Sequence, residues 1–132
     1  MSANGRQPSS LVRNAADPKQ VKFAEQFEKR RDERFRVAIA SVMATQEGRA
    51  VLAGLIRRAG VYRSVWSPSS EIHYNAGRQD YGHELMADLV AVDEDLYQLM
   101  EREEWAWAKS QQASISATHT RRSTEPEEEN GR

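Results

Sequence analysis

The sequence predicts an all-α protein: a small bundle of about four helices, an extended aromatic and arginine linker between helices 2 and 3, and disordered termini. Three observations carry that prediction. Apolar residues recur at helical spacing through residues 21–107. Capping and stopping residues, namely Asp17-Pro18, Thr45, Gly60 and Asp93, divide that stretch at helix lengths. The two ends are polar and lack any such period. The expected organisation is a disordered arm over 1–16, a helical domain over 17–112 and a disordered acidic tail over 113–132.

The first helix starts where Asp17 supplies a cap and Pro18 takes the first helical position, at which its missing N–H costs nothing. Phe23, Phe27, Phe35, Ile39 and Met43 then fall at multiples of four. Arg31 interrupts this stripe within a basic cluster over residues 29–36. One reading has Arg31 snorkel, or pair with Glu28 or Asp32. The other has the first half of the helix project beyond the bundle, with Phe23 and Phe27 as interface anchors.

Thr45 caps the second helix, with Glu47 near its positive end. Its expected inner face is Val51, Leu52, Leu55 and Ile56, with Arg49, Arg57 and Arg58 off that face. Gly60 reads as the left-handed residue that stops the helix, with Val61 making the accompanying apolar contact. Pro68 prevents residues 61–70 from continuing as a long helix. Val61, Tyr62, Val65 and Trp66 therefore read as a strap packed over the bundle. Ser69 or Ser70 caps a third helix to about Val92, with Ile72, Ala76, Leu85, Met86, Leu89 and Val90 inward. Asp93 caps the fourth, with Leu96, Leu99, Met100 and Trp107 inward and Trp105 at the surface.

Charge is distributed unevenly. Residues 1–65 carry 13 Lys/Arg against 6 Asp/Glu, and residues 66–132 carry 6 against 14. Such a chain pairs with itself, offers a basic face to nucleic acid or an acidic protein, or simply solvates each helix. Mean hydropathy is −0.80, and a core of roughly 90 residues folds with little stability to spare, so burial against a partner helps it. Cysteine is absent, which removes disulfides, thiolate metal sites and a cysteine nucleophile. No apolar run approaches the roughly 18 residues of a membrane span.

Catalytic signals are weak. His83-Glu84 lacks the second histidine four residues on that a zinc protease pattern needs, because Ala87 stands there. Asp80, Glu84 and Asp88 make an acidic face more readily than a cation site. The expectation is no catalytic residue, no metal and no cofactor. Four glycines, Gly48, Gly54, Gly77 and Gly82, fall inside predicted helices, where each costs about 1 kcal/mol relative to alanine. They point to close approach of helices or of the strap. Residues 46–66 also look like a helix-turn-helix, but Pro68 leaves barely one turn for a recognition helix.

Three motifs occur in order: Thr45-Gln-Glu-Gly-Arg-Ala-Val-Leu52, Leu55-Ile-Arg-Arg-Ala-Gly-Val-Tyr-Arg-Ser64 and Tyr74-Asn-Ala-Gly-Arg-Gln-Asp-Tyr-Gly-His-Glu-Leu85. Over about residues 42–100 the chain resembles a family of small tailed-phage proteins, typified by one from a Bordetella podophage and encoded among head-morphogenesis genes. Relatives often carry a cysteine before the turn glycine, where this chain has Ala59. The resemblance implies a non-enzymatic phage structural or head-assembly protein, in the virion or in the host cytoplasm during assembly. It implies portal, capsid or other head proteins as partners; self-association is a further expectation, and a membrane is not. Arg49, Gly60, Arg63, Gly77, Arg78 and Gly82 match the pattern and read as fold-defining or interface residues. Phe23, Phe27, Arg31, Tyr62 and Trp66 join them as interface candidates. The alternative is a nucleic-acid-binding accessory using the basic first helix and segment 46–66, with phosphate contacts from Lys29, Arg30 and Arg34.

Overall fold

The structure, a computed structural model, describes residues 14–124. Four helices follow one another: α1 (Pro18–Met43), α2 (Gln46–Arg58), α3 (Glu71–Val92) and α4 (Glu94–Thr124), with no strand among the described residues. The expectation of four helices holds. The chain divides into two compact units, Met1–Ser41 and Val42–Arg132. The arm over 1–16 lies mostly outside the described residues.

In the first unit, Asp17 starts α1: its carboxylate accepts the Lys19 amide at 3.0 Å and its carbonyl accepts Val21 N–H. Among its described residues only Ala24 and Ile39 are buried. Phe23, Phe27 and Phe35 are exposed, so the first part of the stripe lies largely in solvent.

The second unit is where packing occurs. Thr45 accepts the Gly48 amide through its hydroxyl at 3.1 Å and opens α2, the cap position anticipated from its side chain. Gly60, at φ +79°, closes the same segment. α2 packs on α3 and on α4, and α3 packs on α4. Met43, Leu52, Ala53, Ile56, Leu89, Tyr97 and Met100 are buried in this layer. Asp93 joins α3 to α4: its N–H donates to Leu89 C=O, and its carboxylate accepts Leu96 N–H at 3.0 Å. At the start of α3, Ser69 Oγ accepts the Glu71 amide at 3.4 Å, whereas Ser70 makes no capping bond.

Three expectations change. Val51, Leu55, Val90 and Trp107 are exposed rather than inward, because a thin three-helix layer buries only a narrow stripe of each helix. Ile72, Ala76, Leu85, Met86, Leu96 and Leu99 are half-buried. The helix expected to end by residue 112 runs on to Thr124. In its last turns hydroxyls bond back to carbonyls four residues earlier, which spares them from competing for backbone N–H groups: Thr118 to Ser114, Thr120 to Ser116, Ser123 to His119 and Thr124 to Thr120. Residues 125–132 of the expected acidic tail lie outside the described residues.

Candidate interaction surface

The arginines of the second unit divide by what their guanidinium groups touch. Arg49, expected off the inner face, is buried and ties two helices together. Its Nε donates to Glu103 Oε1 at 2.8 Å and its Nη1 to the Met43 carbonyl at 2.8 Å. That carbonyl is among the last of α1, which helical bonding leaves unpaired, so Arg49 satisfies a helix end while neutralising an acid. Arg57, two turns on, donates to Glu104 Oε2 at 2.5 Å. Two adjacent glutamates of α4 thus hold two arginines eight residues apart on α2. Part of the basic-versus-acidic asymmetry of the sequence is resolved inside this unit.

Arg78 serves the other end of α2. Its Nη2 donates to the Arg58 carbonyl, and its guanidinium lies 5.6 Å from the centre of the Tyr74 ring. Gln79 adds donations from Nε2 to the carbonyls of Gly60 at 3.2 Å and Arg63 at 3.0 Å. These α3 side chains fasten the turn that follows α2. The strap is not extended throughout: Gly60 C=O accepts Arg63 N–H at 3.0 Å to make a turn, and residues 64–67 follow without helix, strand or turn. Val61 and Val65 are half-buried, while Tyr62, Arg63 and Trp66 are exposed.

The helix glycines separate into two kinds. A Cβ at Gly82 would lie 2.5 Å from Val61 Cγ2 and 2.7 Å from Ala59 Cβ, so bare backbone is what lets the strap sit on α3. At Gly48 a Cβ would strike the Val42 carbonyl. Gly54 and Gly77 have open space, and close approach does not account for them.

Concavities of two kinds lie among the described residues. One is polar, about 240 Å³, and is lined by Arg58, Gly60, Arg63, Ser64, Asn75 and Arg78 without a carboxylate. The other is an aromatic groove of about 490 Å³ between α2 and α4, whose walls include Ile56, Tyr62, Met100, Trp105 and Trp107. Glu101 and Glu104 rim it. Trp105 and Trp107 are 65% and 60% exposed, and Lys109 Nζ sits 4.2 Å over the Trp105 ring. Beneath, Tyr97 donates its hydroxyl to Glu101 at 2.9 Å. Burial, that hydrogen bond and the charges of Glu101 and Tyr62 together push the Tyr97 phenol above its ordinary value.

In the first unit, Phe23 and Phe27 stack with ring centres 6.5 Å apart, and Arg31 lies 4.8 Å over Phe27 while reaching Glu28 at 3.9 Å. The Glu28 pairing is one of the partners the sequence offered. Sequence reading missed Gln79, Glu103 and Glu104. The acidic surplus of the second half was the available signal for the glutamates. Among the described residues, no three His, Asp or Glu side chains are grouped to hold a metal ion, and no helix is long and apolar enough to cross a membrane.

Residues 39–101 match the family described as Bbp19-like phage protein. The span anticipated from the three motifs, about 42–100, lies within that match, which supports a phage-related protein. No curated protein and no solved structure matches the chain.

Proposed function

We propose, from a chain whose residues 39–101 match a phage protein family, that it is a non-enzymatic structural or head-assembly protein that binds other head or portal components through its helical faces. It acts in the virion or in the host cytoplasm during assembly. The observation that carries this reading is the quantity of aromatic surface left exposed: Phe23, Phe27, Phe35, Tyr62, Trp66, Trp105 and Trp107. Exposed aromatics gathered on a groove and along a helix edge are characteristic of protein-binding surfaces. Native mass spectrometry of the purified chain with portal and major capsid protein should show a complex. A chain that stays unbound with every head component refutes the role.

A second reading, a nucleic-acid-binding accessory, is favoured by the pocket of Arg58, Arg63 and Arg78, with Ser64 and Asn75 as further donors. Arg49 and Arg57 are taken up by Glu103 and Glu104, so the phosphate contacts of segment 46–66 narrow to that pocket. This reading requires DNA affinity that falls steeply with salt and drops when Arg58 and Arg63 are changed to glutamine. Salt-insensitive binding, or none, excludes it.

A further inference from the structure

Each unit carries an exposed aromatic surface. The α1 edge is built from Phe23, Phe27 and Arg31 at intervals of four. Phe23 is 58% exposed, its ring stacks on that of Phe27, and Arg31 lies over the Phe27 ring. The groove on the second unit is walled by Tyr62, Met100, Trp105 and Trp107 and rimmed by Glu101 and Glu104.

We propose that the Phe23–Phe27–Arg31 edge of one copy docks into the α2–α4 groove of a second copy. Three features support a second copy of this chain as the occupant. The dimensions agree: the eight steps of α1 from Phe23 to Arg31 rise about 12 Å, and so do the eight from Met100 to Ala108 along the groove. The charges agree in sign over the same spans: residues 23–31 hold three basic side chains against two acidic, and residues 100–108 hold three acidic against one basic. Glu101 and Glu104 each spend one oxygen inside their own unit, on Tyr97 and Arg57. The second oxygen of each keeps lone pairs for an incoming guanidinium. Finally, the α1 edge is already stacked, which reduces the ordering cost of association.

The contact joins two different faces: exchanged reciprocally it makes a two-fold pair, and repeated in one direction it closes a ring or grows a filament. The inference deepens the assembly role above by naming one partner. A chain that is monomeric yet binds portal or capsid protein sinks self-docking and leaves that role standing. A chain that self-associates but binds no head component does the reverse.

The test uses full-length chains in analytical ultracentrifugation, with circular dichroism to show retained helix. One variant, Phe23→Glu with Phe27→Glu, spoils the edge and keeps the groove. The other, Trp105→Glu with Trp107→Glu, spoils the groove and keeps the edge. Wild type should grow in mass with concentration, and each variant alone should stay monomeric. An equimolar mixture of the two variants should form a one-to-one dimer and go no further, because one intact edge meets one intact groove. Growth of either variant alone, a monomeric mixture beside an associating wild type, or a wild type monomeric at every concentration each overturns the proposal. If a glutamate variant loses its helix signal, serine at the same positions gives the same readout.

Discussion

Residues 14–41 and the layer formed by α2, α3 and α4 use similar ingredients to different ends. Both place apolar side chains at helical spacing and both carry arginines along the same helices. In the second unit the apolar positions meet: Met43, Ile56 and Leu89 are almost fully buried, and Arg49 disappears beneath them with its charge matched. In the first, Phe23, Phe27 and Phe35 remain in solvent and Arg31 rests on a ring. Periodicity makes a helix amphipathic, but it does not say whether the apolar face is spent within the chain or held for association. The difference separates the part that sets stability from the part available for binding.

The sharpest way to break this contrast is to truncate one apolar side chain in each region. Leu89→Ala, at a position with no exposed surface, should cost about 3 kcal/mol. Phe27→Ala should cost under about 1 kcal/mol. Urea midpoints of full-length chains, taken at low concentration, will check both; equal losses would mean that the α1 stripe is core after all. Next come the arginines. Arg49→Met leaves Glu103 and the Met43 carbonyl without their donor and should cost about 3 kcal/mol. Arg31→Met should change stability by no more than about 0.5 kcal/mol, since exposed pairs contribute little.

The glycines refine the picture within the second unit. Gly82→Ala must displace Val61 and should cost about 2 kcal/mol. Gly77→Ala meets open space and should stabilise by about 0.5–1 kcal/mol, a difference readable in thermal melts. The smallest effect concerns pH. Because the folded Tyr97 phenol titrates above its unfolded value of 10.0, the associated stability is complete below that pH and is lost as pH rises beyond it. Tyr97→Phe should therefore flatten the alkaline decline of the urea midpoint. A decline as steep as that of wild type would remove Tyr97 as its cause.

Much of the chain's layout was legible in its residues. Thr45, Gly60 and Asp93 act locally, through bonds or backbone angles within a few positions, and local chemistry can be read along a line. The exposure of Trp107 could not, because it depends on how wide a stripe the neighbouring helices cover. Nor could the separate fates of Gly77 and Gly82, which differ only in whether the strap passes over them. Arg49 and Glu103 are 54 positions apart, and nothing in either local context marks them as partners. The polar run after residue 112 misled for the opposite reason. Its hydroxyls favour turns in general, yet here they bond back along the helix and α4 continues.

Asp93 is the only residue between α3 and α4, and it closes one helix while opening the other. It therefore fixes the rotational phase of α4 as a key fixes a gear on its shaft. One residue inserted beside it would turn everything downstream by about 100° and advance it by about 1.5 Å. Glu103 and Glu104 would leave Arg49 and Arg57 in the same step, and the wall of the groove would swing away with them. The spacing between Asp93 and those two glutamates is thus a dimension of the molecule, as much as any bond length in it.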